Sequence, residues 1–186
     1  RCAAHRFAHR SRRMSAKRAT PQIVVDVVRT LDQLPQIYAL RGIVYMGEQD
    51  CPFDEEFDGN DLSGATHLVA RIGREPVGAI RIRWFADFAK LERAAVLRRY
   101  RESGVAHALW AASAAIAARK GYRQILGHIE PRLLGFWERC AGFRLREGRA
   151  PLFFSDREYV EVVATLPARA DAITLDASPL LLLRPE

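Results

Sequence analysis

The chain has 186 residues, with 29 Lys and Arg against 22 Asp and Glu for a formal net charge of +7, and a hydrophobic share of 49%. That length suits one domain with an ordinary core, and the composition excludes a disordered or fibrous chain. No apolar stretch approaches the ~20 residues of a membrane-spanning helix, the leucine run at 180–183 included, so no membrane partner is expected.

The charge is unevenly placed. Residues 1–20 hold seven Lys and Arg and no acid, which leaves 22 basic residues against 22 acidic ones in the rest. The body is neutral and the high pI belongs to the extension. Such a tail is readable as nucleic-acid-binding or as an Arg-rich targeting segment. The plainer expectation is a disordered basic extension (1–20), with Met14 as a start, ahead of a single domain (21–186); nucleic acid is then not expected as a partner. Cys2, Cys51 and Cys140 are odd in number and lack any CxxC. That argues against a disulfide framework or a metal site and for a reducing, cytoplasmic setting.

QIVVDVV (22–28) is β-branched and reads as a first strand. Residues 31–46 read as a helix, with Leu34, Ile37, Tyr38 and Leu40 on one face at 3.6 spacing and Pro35 in the first turn. An acidic loop follows, punctuated by Pro52, Gly59, Asn60 and Gly64. Residues 67–72 and 76–85 then form a hairpin, whose second strand alternates Ile80, Ile82 and Trp84 with Arg81, Arg83 and Phe85. KLERAAV (90–96) is a shorter strand, and an alanine-dense helix spans 105–120 and stops at Gly121. RQILGHI (123–129) is a strand, 131–140 a short helix ended by Gly142, and FRLREG (143–148) and 159–166 a last pair of strands. The order is that of a mixed α/β domain without a regular βαβ repeat.

The turn before the long helix carries the first site. Free N–H groups at a helix start, with the helix dipole, attract anions, and Gly104 lets a phosphate approach closely. Arg101 adds a cation beside them, so the expected ligand bears phosphate.

Val96, Arg101, Gly104 and Ala106 in the spacing V-x-x-x-x-R-x-x-G-x-A resemble the acyl-CoA signature of the GNAT superfamily of N-acetyltransferases, and FWERCAGF (136–143) is similar to its F-Y-x-x-x-G-F segment with one residue inserted. The resemblance spans about 22–166. It implies an α/β (mixed α+β) GNAT-like acyl-CoA N-acyltransferase fold, a central mixed sheet with splayed parallel strands flanked by helices. It further implies acetyl-CoA as acyl donor and no metal. The pyrophosphate would lie on Glu102, Ser103, Gly104, Val105 and Ala106, with Arg101 beside it. The pantetheine would run along Ala94, Ala95 and Val96, with Phe136 packed nearby and a backbone N–H stabilising the thioester oxygen. Two positions depart from the pattern: Glu102 stands for the usual glycine, and Trp137 for the tyrosine general acid.

An amine acceptor must lose a proton before it attacks. Glu92, four residues before Val96 and so on the same face of a regular strand, and His128, at the end of the neighbouring strand, are the candidate catalytic residues, Glu92 being readable also as a salt-bridge partner of Arg81, Arg83 or Arg93; His67 and His107 are weaker ones. Glu48, Asp50, Asp54, Glu55, Glu56, Asp58 and Asp61 crowd a segment with no Lys or Arg from 42 to 70. An EF-hand register starting at Asp54 fails, because Ala65 stands where a bidentate Glu is needed. The segment is similar to a GNAT branch with E-Q-x-C-P-[YF]…D-G-x-D…H, matched by Glu48, Gln49, Cys51, Pro52, Phe53, Asp58, Gly59, Asp61 and His67. The resemblance implies that Glu48, Asp58 or Asp61 meets a cationic small-molecule or peptide amine.

Arg41, Glu56 to Asp61 and Glu92-Arg93 also resemble acyl-homoserine-lactone synthases, which share the fold. A non-catalytic acyl-CoA binder or regulator is the rival from another class. The resemblance also allows a homodimer through the C-terminal strands.

Overall fold

The computed structural model describes residues 22–183; the basic extension at 1–20 lies outside them. Strands β1 (Ile23–Val27), β2 (Thr66–Ile72), β3 (Glu75–Trp84) and β4 (Ala89–Val96) form an antiparallel series. β5 (Gln124–Ile129) joins β4 in parallel and pairs antiparallel with β8 (Arg157–Thr165). The short β6 (Arg144–Leu145) and β7 (Leu152–Phe154) both pair with β8, giving the order β1-β2-β3-β4-β5-β8-β6 with β7 off that path.

The sheet is covered on both faces. Helix α1 (Leu34–Arg41) packs Ile37 and Leu40 on Val69 and Ala79. It runs on through a π-helical turn (Gly42–Met46) into α2 (Gly47–Gln49), and α3 (Phe53–Glu56) follows. The opposite face carries α4 (Val105–Arg119) and α5 (Leu134–Ala141) on a larger core with Leu68, Ile80, Ile82, Leu109, Trp137 and Phe143. A Cβ at Gly78 would stand 2.7 Å from Val105 Cγ1, so only glycine lets the start of α4 come down onto β3. A short α6 (Pro179–Leu183) ends the described chain.

Most expected elements appear within two residues of their expected bounds. The helix expected over 31–46 is interrupted: it starts as a 3-10 turn and widens to π at Gly42–Met46. The strand expected over 143–148 shrinks to β6, and β7 had no alternation long enough to mark it. The acidic segment is not a plain loop, since α3 and a 3-10 turn at Asn60–Leu62 shape it.

One irregularity positions the site. Ala79 pairs with Ala95 and Arg81 with Glu92, so β4 carries one residue more than β3 between them. This is a β-bulge, and Arg93 within it sits at φ 53°, left-handed for a non-glycine residue. The extra residue breaks the strand's alternation. Glu92 therefore shares a face with Arg81, and Val96 shares the other with Gly78, which corrects the expectation that Glu92 and Val96 point the same way.

Candidate active site

β4 and β5 are joined only from Ala89 to Leu91, against Ile125, Leu126 and Gly127. Past that point the strands part, and a cleft of about 540 Å³ opens along the gap. At one end lies the turn before α4. Glu102 (φ 72°) and Gly104 (φ 89°) are both left-handed and flank Ser103. Ser103 turns its N–H and its hydroxyl to Tyr100 O, at 3.3 and 2.6 Å. Among the described residues the amides of Glu102, Gly104, Val105, Ala106 and His107 have no acceptor in the turn. The last three are the unpaired donors of any helix start, and with the α4 dipole they make a local anion site.

The middle of the cleft is backbone. Leu97 N–H bonds Val77 O at 3.0 Å, so by alternation Val96 turns its own N–H and C=O away from β3, into the gap. Its carbonyl accepts from Arg101 Nε at 3.1 Å, and the carbonyl of Ala94 accepts from the Tyr45 hydroxyl at 2.9 Å. Tyr45 stands on the π turn, whose extra residue carries the ring toward β4. Phe136, 42% exposed, forms part of the wall.

The far end gathers His128, Glu130 and Tyr159. Glu130 follows β5 directly, two residues after His128, and both line the cleft, while Glu161 stands opposite His128 in register. His128 Nε2 is 3.5 Å from Glu161 Oε2, while Nδ1 is enclosed without a partner. Burial, with Lys90 adding to it, lowers the His128 pKa below its ordinary 6.5. Burial raises the Tyr159 phenol above its ordinary 10.0, helped by Glu130.

Behind β4, the acidic segment folds onto three arginines. The Arg41 guanidinium, with no exposed surface, pairs with Glu56 through Nε and with Asp61 Oδ1 at 2.6 Å. Arg81 bonds Asp58 Oδ2 at 2.7 Å, Asp61 Oδ1 at 2.9 Å and Glu92 Oε2 at 2.7 Å. Arg93 reaches Glu55 O at 2.7 Å, Asp58 at 3.2 Å and Glu56 Oε2 at 3.2 Å. Lys90 Nζ lies 2.7 Å from Glu92 Oε1. The arginine bonds hold Asp58 and Asp61 below the usual carboxylate range against the opposing effect of burial. At Glu92 burial is likewise overcome, by Lys90 and Arg81, and its pKa is lowered. At Glu56 burial wins and the pKa is raised.

The parted parallel strands thus lie beside unpaired amides at a helix start. The family model described as the acetyltransferase (GNAT) family matches residues 34–143. The chain belongs to the GNAT family. A Bacillus subtilis (strain 168) protein named as an acetyltransferase is 31% identical over 122 residues, covering 64% of this chain and 82% of that one. The N-acetyltransferase YjcF of the same organism is 29% identical over 119 residues, covering 64% and 84%. A crystal structure of an N-acetyltransferase from Lactobacillus plantarum superposes with a TM-score of 0.71 at 22% identity, covering 78% of this chain and 99% of that one. An acyl-CoA N-acyltransferase structure from Pseudomonas aeruginosa gives 0.67 at 21%, covering 76% and 99%. The fold is the GNAT mixed sheet flanked by helices, and the family uses acyl-CoA as donor. Among the described residues no group of three or more His, Cys, Asp or Glu could hold a metal ion, and no helix is long and apolar enough to cross a membrane.

Against that GNAT frame the expected residues divide. Ala94, Val96, Arg101, Glu102, Gly104, Ala106 and Phe136 line the cleft. Ala95 does not: it is fully buried and pairs with Ala79, because its backbone belongs to the β3 ladder. Ser103 is closed on Tyr100, and the Val105 side chain is core, although its amide faces the turn. Arg101 is not a free cation, since its Nη2 lies 2.7 Å from Glu48 Oε2.

The acceptor residues need more correction. Glu48 meets Arg101 beside the turn before α4, and Asp58 and Asp61 are tied to arginines behind β4. At Glu56, Asp58 and Asp61 the charge is compensated by Arg41, Arg81 and Arg93, which come from outside the run. Glu92 lines the cleft but is held by Arg81 and Lys90 with its pKa lowered, which suits a structural anion better than a base. His67, 4% exposed, bonds Asp61 O at 3.0 Å and pins the acidic segment. Trp137 is core, packed edge-on against Phe136 and Phe143. Tyr45, Glu130 and Tyr159 were missed. The approach of Tyr159 to the end of β5 follows from the register of β8, which ends at Ile129 opposite Val160 and which no local pattern specifies.

Proposed function

We propose that this GNAT protein transfers an acetyl group from acetyl-CoA to a primary amine. The observation that carries the reading is the set of unpaired amides at the opening of α4, continuous with backbone that β4 turns into the gap beside β5. The amides of Glu102, Gly104, Val105 and Ala106 would receive the pyrophosphate. Val96 would pair with the pantetheine as if with an added strand, and Phe136 would cover it. Bound acetyl-CoA supplies a thioester carbonyl for attack.

His128 is the general base of this reading. It takes the proton of the acceptor amine, and Glu161, 3.5 Å from Nε2, stabilises the imidazolium that results. The amide that β4 aims into the gap near Ala94 stabilises the developing oxyanion. Of the tyrosines lining the cleft, Tyr45 gives its hydroxyl to Ala94 O and Tyr100 to Glu75, so Tyr159, whose raised pKa keeps it protonated, serves the leaving thiolate. Trp137 cannot take that role, because an indole N–H does not ionise near neutral pH.

Thiol release from acetyl-CoA against a panel of primary amines tests the reading. Amine-dependent release at several turnovers per enzyme supports it; titration calorimetry showing no affinity for acetyl-CoA or CoA would end it. The phosphate turn yields its own expectation. Glu102 puts a carboxylate beside the anion site in a left-handed conformation that glycine adopts freely. Glu102→Gly is expected to tighten CoA several-fold by calorimetry, the more so at low salt. An unchanged Kd would mean that the pyrophosphate lies elsewhere.

A further inference from the structure

We propose that the acceptor is an amino-acid-type amine, one that carries a carboxylate as well as the attacking nitrogen; this rests on the acyltransfer reading above. The carboxylates of Glu56, Asp58 and Asp61 are matched by Arg41, Arg81 and Arg93 and do not line the cleft. The charges that an acceptor meets are those around His128. Two carboxylates face that end, and each is held by two arginines. Glu130 accepts from Arg132 Nε at 2.7 Å and Nη2 at 2.8 Å, with Arg157 at 3.6 Å. Glu161 pairs with Arg146 at 2.6 Å and Arg149 at 3.1 Å. Of these groups only Glu130 and Arg132 line the cleft, so an acceptor meets one carboxylate and one guanidinium side by side, a match for a zwitterion rather than for a bare ammonium ion.

The Glu130–Arg132 pair is built unequally. The Glu130 side chain is 11% exposed and fixed at the end of β5, whereas that of Arg132 is 60% exposed on the 3-10 turn that follows. Both line the cleft. Arg132 can exchange its partner for an incoming carboxylate at little desolvation cost and engage it with the same two-pronged fork. Glu130 is then left facing the ammonium group, two residues along the chain from His128, which takes its proton. A zwitterion thus replaces each half of an existing ion pair with its own opposite charge, and no charge is left unmatched.

Steady-state thiol release with matched pairs, phenylalanine against 2-phenylethylamine and leucine against 3-methylbutylamine, tests this. The expected result is a kcat/KM at least ten-fold higher for each amino acid. In Arg132→Gln, the amino-acid KM rises about ten-fold with kcat little changed, the amine KM falls or stays level as Glu130 is released, and Arg132→Lys recovers part of the preference. Equal or better activity with the decarboxylated amines, or an Arg132→Gln variant that keeps the full preference, overturns the proposal while acyltransfer stands. No release with any acceptor, from acetyl-CoA or longer acyl-CoA thioesters, overturns both readings together.

Discussion

His128→Gln is expected to lower kcat/KM about 10²- to 10³-fold, the range for loss of a positioned general base, with the acyl-CoA Kd unchanged by calorimetry. Glutamine keeps the size and polarity of imidazole but cannot hold the transferred proton. The pH profile gives the sharper readout. Burial and the Lys90 charge lower the His128 pKa, and the base works only when neutral. The wild-type protein should therefore lose kcat/KM as pH falls through a value below 6.5, and the variant should lack that inflection. Glu161→Gln removes the anion 3.5 Å from Nε2 and should cost less, about ten-fold in kcat, because the base remains and only its protonated form is less stabilised. A His128→Gln variant within three-fold of wild type would remove His128 from the mechanism.

The largest effect on stability is expected at Arg81. Its side chain is 1% exposed and joins Asp58, Asp61 and Glu92. Arg81→Met leaves those carboxylates without their shared cation, and breaking a buried ion pair from one side costs about 3–5 kcal/mol. Urea unfolding of wild type and variant measures this. The pairing also sets the acid limit of the fold. Asp58 and Asp61 are lowered from 3.8, and Glu92 from 4.5. Each contributes stability that is present above its unfolded value and is lost as pH falls through the folded one. Glu56, raised from 4.5 by burial, works in the opposite sense, so three contributions oppose one. Wild-type Tm should drop as pH falls below about 4.5, in step with carboxylate protonation, and the drop should be shallower in Arg81→Met. A variant as stable as wild type at pH 7 would show that the network holds no net stabilisation.

The same network separates what could be read locally from what could not. The β2–β3 hairpin, the alanine-rich α4 and the anion-binding turn were legible, because each depends on residues a few positions apart. Ile80, Ile82 and Trp84 alternate, and Gly104 opens the helix. The acidic segment was conspicuous, yet its meaning was not. Asp61 lies 20 residues from both Arg41 and Arg81, and Asp58 lies 35 from Arg93. Charge compensation at that range exists only once the sheet has brought α1, β3 and β4 together. Glu92 was read as a base on the assumption of a regular strand, and the bulge at Arg93 turned it to the other face.

The residue order by itself determined the family, the run of elements and the glycine turn that opens α4, since periodicity, caps and the Arg-x-x-Gly-x-Ala spacing act over a few residues. Tertiary structure alone decided where β4 and β5 part, which charges cancel, and that His128, Glu130 and Tyr159 meet at one end of the cleft. Strand register and buried ion pairing depend on how separate segments pack, and no window of the chain contains both partners.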